Sequence, residues 1–186
     1  MNIPGKIYPT IGCCGLDCGT CPRYYTVGTS KCPGCAGPDF INKHPSCFFI
    51  ACCVKKKNLE ACGQCLEFPC PKFRRNEDYQ QLKESSSYPS YKKVIPNLNF
   101  IKEYGIEKFI KQQKKRIELL QMMIDHFNDG RSRSFFCKAA CLLDLKDLKN
   151  SLDKANRKVK ADNIDNIKIK AKNLKNILNK YFSSHL

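Results

Sequence analysis

The sequence predicts a mainly α protein with an irregular, cysteine-stapled N-terminal module followed by a small helical bundle. Three observations carry that expectation. Twelve of the 14 cysteines fall at or before Cys70. Beyond residue 98, apolar residues recur at helical spacing rather than in alternation. Between the two lies a polar stretch that fits neither pattern. The expected organisation is a cysteine-rich module over 1–75, a linker or loop over 76–97, and a helical region over 98–186. At 186 residues this is one ordinary domain or two small ones.

The N-terminal module needs its staples. Residues 1–75 hold only 15 Leu, Ile, Val and Phe, a small core for a segment that long. Gly, Pro and Cys are dense, which predicts turns and short pieces. Met1-Asn2-Ile3-Pro4-Gly5 shows no basic stretch leading into an apolar one, so a cytoplasmic, reducing location is expected. The longest apolar run, Phe48 to Val54, is far short of the ~20 residues that span a bilayer, so no membrane association is expected. In a reducing compartment, clustered cysteines bind metal more often than they form a disulfide framework.

Arg74 to Tyr91 contains Glu84-Ser85-Ser86-Ser87-Tyr88-Pro89-Ser90 and reads as a linker or exposed loop. Ile106, Ile110, Gln113, Ile117, Leu120, Ile124 and Phe127 then step by four and three, an amphipathic helix with one polar member. Asn128-Asp129-Gly130 supplies its stop. A shorter apolar helix is expected from Phe135 to Leu143, with Ser134 as its N-cap. Leu145, Leu148, Leu152, Ala155 and Val159 form the next stripe. Ile164, Ile167, Ala171, Leu174, Leu178 and Tyr181 form the last, out of phase with it, and Asp162 at the break is the expected cap.

The cysteine spacing carries the chemistry. Cys18-x2-Cys21, Cys32-x2-Cys35 and Cys62-x2-Cys65 each allow a tight turn to aim two sulfurs at one ion. Small residues there let backbone N–H groups hydrogen-bond the thiolates. Pro33 and Gly34 suit such a turn. Cys18, Cys21, Cys32 and Cys35 read C-x2-C-x10-C-x2-C, the spacing of a two-knuckle zinc site. A second site would use Cys62 and Cys65 with two of Cys47, Cys52, Cys53 and Cys70; spacing leaves open which two. The expected staple is therefore metal, in a zinc-ribbon or knuckle-like module holding two zinc ions. The alternative cofactor is a [4Fe–4S] cluster on Cys14-x3-Cys18-x2-Cys21, serving electron transfer or redox sensing. Radical enzyme chemistry is disfavoured, because no run of alternating strands and helices follows that triad.

The run Cys14-Gly15-Leu16-Asp17-Cys18-Gly19-Thr20-Cys21-Pro22, then Cys32-Pro33-Gly34-Cys35, Cys62-Gly63-Gln64-Cys65 and Phe68-Pro69-Cys70-Pro71, resembles the domain-of-unknown-function 3795 family. This is a cysteine-rich prokaryotic family without an established activity, for which zinc binding is the expected property. The resemblance covers about residues 10–75. A second similar stretch comprises Glu103 to Glu107 with Phe109-Ile110, and Asp129 to Cys137. Residues 151–186 carry none. The resemblance implies ten metal-ligand positions: Cys14, Cys18, Cys21, Cys32, Cys35, Cys47, Cys52, Cys62, Cys65 and Cys70. Cys13 and Cys53 are additional to it. It implies a metal-binding protein and supplies no reaction.

Other residues have plainer readings. His44 would complete Cys32-x2-Cys35-x8-His44-x2-Cys47 as a mixed site, but before Pro45 it reads as a surface-loop histidine. His126 suits the end of a helix dipole, and His185 lies in the terminal tail. Cys137 and Cys141, spaced i, i+4, read as core packing with Phe136 and Ala140, with Cys137 the better candidate for a ligand. Arg131 and Arg133 read as a solvated helix start. Lys55-Lys56-Lys57 and Lys111 to Arg116 read as solvated faces.

The formal charge is +16, from 33 Lys plus Arg against 17 Asp plus Glu. Thiolates at two zinc sites would lower it. Arg, the residue suited to bidentate phosphate and base contacts, is scarce, so nucleic-acid binding is a third reading rather than the first. No phosphate-binding glycine loop, serine–histidine–acid set or paired carboxylates emerge, and the expectation leans away from an enzyme. The leading expectation is a metal-binding accessory module that contacts a protein partner.

Overall fold

The structure is a computed structural model describing residues 6–44, 47–74 and 89–184. Among these the chain is mainly helical and holds no β-strand; one isolated antiparallel bridge joins Ile11 and Asp17. The chain divides into two compact units, Met1–Gln113 and Lys114–Leu186.

The first unit is built of single turns. Cys18–Thr20, Pro22–Tyr25 and Cys62–Gln64 are 3-10 turns. Phe40–Lys43 and Pro71–Arg74 are one-turn α-helices, and Phe48–Ile50 runs into the π-helical turn Ala51–Lys56. Helix α1, Val94–Tyr104, gives these turns something to pack on. Pro96 falls in its first turn, where a missing N–H costs nothing. Val94, Leu98 and Ile101 lie on one face and are buried with Ile11, Ile50 and Phe68.

Two glycines permit that approach. A Cβ on Gly15 would lie 2.6 Å from Val94 O, and one on Gly63 would lie 2.5 Å from Leu98 O. Gly15 also has φ +95°, a left-handed value that favours glycine. Asn97 Nδ2 donates to Gly15 O at 2.9 Å, tying the helix to the first cysteine turn. Most of the expected linker over 76–97 lies outside the described residues. Its last residues do not behave as a linker: Pro89–Lys93 is a 3-10 turn and Val94–Asn97 is the first turn of α1. The apolar face of α1 explains the difference, because it completes the core of the cysteine unit.

Helix α2, Ile106–Phe127, bears the expected stripe. Its polar member, Gln113, is buried and fully used. Its Nε2 donates to Thr10 O at 2.8 Å and to Asp17 Oδ1 at 2.7 Å, while its Oε1 accepts from Thr10 Oγ1 at 2.7 Å. A buried amide needs such partners, and here they position the turn before Cys18.

In the second unit α2 ends at the stop that Asn128-Asp129-Gly130 predicts, with Gly130 at φ +86°. Helix α3, Arg133–Leu142, is introduced by Ser132 and not by Ser134. Ser132 O accepts Phe136 N–H at 3.0 Å, and its Oγ donates to Asp129 Oδ1 at 2.6 Å, so the turn after α2 sets the start one residue before Arg133. Helices α4, Leu145–Ala161, and α5, Ile167–Ser184, pack on each other through Leu148, Leu152 and Ala155 against Ala171, Leu174 and Leu178, all buried. Asp162 ends α4 and does not cap α5. Asn166 holds that place, its Oδ1 accepting Lys168 N–H at 2.9 Å. Ile164 precedes α5, and the five-residue step in the pattern is the loop. Arg116 departs from the solvated face expected of it: its Nη1 donates to Ala140 O at 2.6 Å and to Leu143 O, where carbonyls end α3.

Candidate metal centre

The cysteine doublets divide their roles. Cys13 and Cys53 are buried in the core of the first unit, 1% and 2% exposed. Cys53 Sγ donates to Leu59 O at 3.2 Å. Their neighbours Cys14 and Cys52 are half-buried. Each doublet thus has one buried and one half-buried member.

A first group of thiols gathers around the knuckle turns. Burial, then the charges of Cys35 and Cys14, holds the Cys18 thiol well above its ordinary value; Cys21 also lies close enough to act on it. Cys21 is raised by burial and has Cys32 beside it. The charges of these cysteines thus act on one another from Cys35 to Cys18 to Cys21 to Cys32. Burial pushes Cys14 up to about 12, with Cys35 and Cys47 adding to the shift. Backbone N–H groups point at the sulfurs, as the turn chemistry required. Those of Arg23 and Tyr24 donate to Cys21, that of Leu16 to Cys14, and that of Cys13 to Cys35 Sγ at 3.4 Å.

Two further side chains belong to this group. His44 is half-buried, not a free loop histidine. Its Nε2 stands 3.2 Å from Cys32 Sγ, and its ring stacks on Phe40 at 4.6 Å and 9°. Burial, then the nearby Arg23 charge, lowers its pKa and favours the neutral imidazole, the form that binds a metal. Lys6 is buried, 9% exposed, with its ammonium donating to Ile11 O. That ammonium is close enough to act on Cys13, Cys14, Cys18, Cys35 and Cys53. Lys6 stands in no motif, whereas His44 holds its place in the spacing Cys32-x2-Cys35-x8-His44-x2-Cys47.

A second group lines a cavity of about 340 Å³: Cys52, Cys53, Cys62, Cys65 and Cys70, closed by Phe49, Phe68 and Phe73. Of the partners that spacing leaves open for Cys62 and Cys65, Cys52, Cys53 and Cys70 are here and Cys47 is with the first group. Lys57 Nζ lies 3.2 Å from Cys65 Sγ and pairs with Glu67, so the third lysine of Lys55-Lys56-Lys57 is not part of a solvated face.

Among the described residues, no three His, Cys, Asp or Glu side chains stand close enough together to enclose an ion. The closest donor pairs are Cys32 with His44, and Cys13 with Cys35, the latter sulfurs 3.7 Å apart. Cys137 and Cys141 are buried in the second unit, on α3, where packing accounts for them. No described helix is long and apolar enough to cross a membrane. No family model, curated protein or solved structure matches the chain.

Proposed function

We propose that the protein is a metal-binding module in which zinc, held by thiolates of the knuckle group, orders the first unit so that it can contact a protein partner. Cys18, Cys21, Cys32 and Cys35 are the core of the donor set, and Cys14, Cys47 and His44 are the donors beside it. The observation that carries this reading is Lys6. A buried ammonium is costly unless a negative charge compensates it. Neutral thiols supply none. Thiolates do: zinc with four of them leaves a net −2, which Lys6 halves. The amide N–H groups aimed at Cys14, Cys21 and Cys35 favour the same ionised form.

The test is metal analysis of protein prepared without a metal-chelating column. Zinc bound to the wild type and lost from Cys21→Ser and Cys32→Ser is the expected result. Lys6→Met should weaken zinc retention against a competing chelator while the second unit stays folded. Wild-type protein that holds no metal, and whose first unit is fully ordered without one, overturns the reading. Binding of a protein partner would then be sought by comparing metal-loaded with chelator-treated protein.

A further inference from the structure

The second group of thiols differs from the first in one respect: it surrounds a space. A tetrahedral zinc ion holds its sulfurs about 2.3 Å away, and so about 3.8 Å from one another. Four cysteines committed to one ion therefore meet at a point. Cys52, Cys62, Cys65 and Cys70 line a volume of about 340 Å³, far more than a single ion fills. Cys53, also at the wall, has its thiol engaged with Leu59 O. Four thiols remain around the void.

We propose that this cavity is the site of an iron–sulfur cluster of the [4Fe–4S] class, ligated by Cys52, Cys62, Cys65 and Cys70. Each thiolate of such a cluster binds a different iron, so the four sulfurs stand apart around a body of iron and sulfide. The rest of the wall suits that body. Phe49, Phe68 and Phe73 are buried and packed on one another, with ring centroids 4.7 Å and 5.2 Å apart, and they shield the space from water. Lys57, also at the wall, donates to Cys65 Sγ. A cation and a hydrogen bond on a ligating sulfur favour the reduced, more negative cluster, so Lys57 raises the reduction potential. These residues are distinct from the Cys14, Cys18 and Cys21 triad that spacing offers for a cluster, and from the knuckle group assigned to zinc. The inference does not depend on the zinc reading.

The test uses the full chain, expressed and purified without oxygen and without a chelating column, with iron, sulfide and zinc assayed alongside the absorbance spectrum. About four iron and four sulfide per chain are expected, with a broad band near ~400 nm. Dithionite should bleach the band as the cluster accepts one electron. The band should vanish in Cys65→Ser and Cys70→Ser and persist in Cys32→Ser. Because a cysteine variant can lose its fold, Lys57→Met provides the second measurement: the band stays and the midpoint potential moves to a more negative value. A colourless wild type carrying two zinc ions overturns this inference and leaves the zinc reading intact. A band that survives in Cys65→Ser and Cys70→Ser, or a potential unmoved by Lys57→Met, also overturns it. A wild type with neither metal overturns both readings.

Discussion

In the helical unit nearly every large buried side chain sits on α2, α3, α4 or α5, three or four residues from the next one. Leu120, Met123 and Phe127 follow one another in this way on α2, and Ala171, Leu174 and Leu178 do so on α5. In the cysteine unit α1 and the start of α2 meet buried residues from loops and from turns of three to six residues, too short to hold themselves together in water. Ile11, Ile50, Ala61 and Phe68 are brought to α1 from four separate segments. The helical unit can therefore order itself from stripes that already exist in each helix. The cysteine unit needs cohesion between segments distant in sequence, and thiols are its commonest side chain at those places. A ligand that gathers thiols should be coupled to the folding of one unit and indifferent to the other.

The largest effect should come from breaking that cohesion. The double variant Cys32→Ser/Cys35→Ser, or a strong chelator, should abolish amide hydrogen-exchange protection over the first unit and spare α4 and α5. Uniform loss of protection over both units would deny the difference between them. Next, Leu98→Ala in α1 and Leu174→Ala in α5 each remove a fully buried side chain and should each cost about 2–5 kcal/mol. Denaturant unfolding of metal-loaded and chelator-treated protein separates the two: only the Leu98 variant should respond to the metal.

Gly63→Ala should cost about 1–3 kcal/mol, because the added Cβ meets a backbone carbonyl on α1 that cannot turn away. Thermal unfolding of the first unit measures it. A smaller change falls on the helical unit, where Asn166→Ala removes the cap of α5 and should cost about 1 kcal/mol. The smallest concerns pH. The Ser132 hydroxyl holds the Asp129 carboxyl below its usual range. That interaction contributes fully above the ordinary Asp pKa and is lost as pH falls through the depressed one. The pair is close to solvent, so only a few tenths of a kcal/mol are expected. The stability of the second unit should dip on acidification below about pH 4, and Asp129→Asn should flatten the dip.

The candidate site is legible in part. The knuckle spacing names Cys18, Cys21, Cys32 and Cys35, whose charges act on one another in the structure but which do not enclose an ion. It also names Cys62 and Cys65 as a separate pair and leaves their companions open; the cavity supplies Cys52 and Cys70. Spacing also offers His44 for a mixed site with Cys32, and its ring stands beside that sulfur. Lys6 and Lys57 could not have been found this way: each matters through a partner that local spacing does not specify, and lysine occurs on surfaces too often for type alone to mark it. The helix ends show the same limit at smaller scale. Ser132 and Asn166 serve in place of Ser134 and Asp162, because a cap depends on where the preceding loop leaves the chain.

By itself the sequence determined the mainly helical class, the stripes of α2, α4 and α5 and the stop at Gly130. Those are local properties: a period of three and four, or a glycine at a turn, acts within a few residues of itself. Only the tertiary structure decided that α1 belongs with the cysteine turns, that Cys13 and Cys53 are buried while Cys14 and Cys52 are half-buried, and that a buried ammonium acts on one group of thiols while another lines a cavity. Those outcomes depend on segments up to about a hundred residues apart, such as Thr10 and Gln113, meeting in a core whose shape no single segment contains.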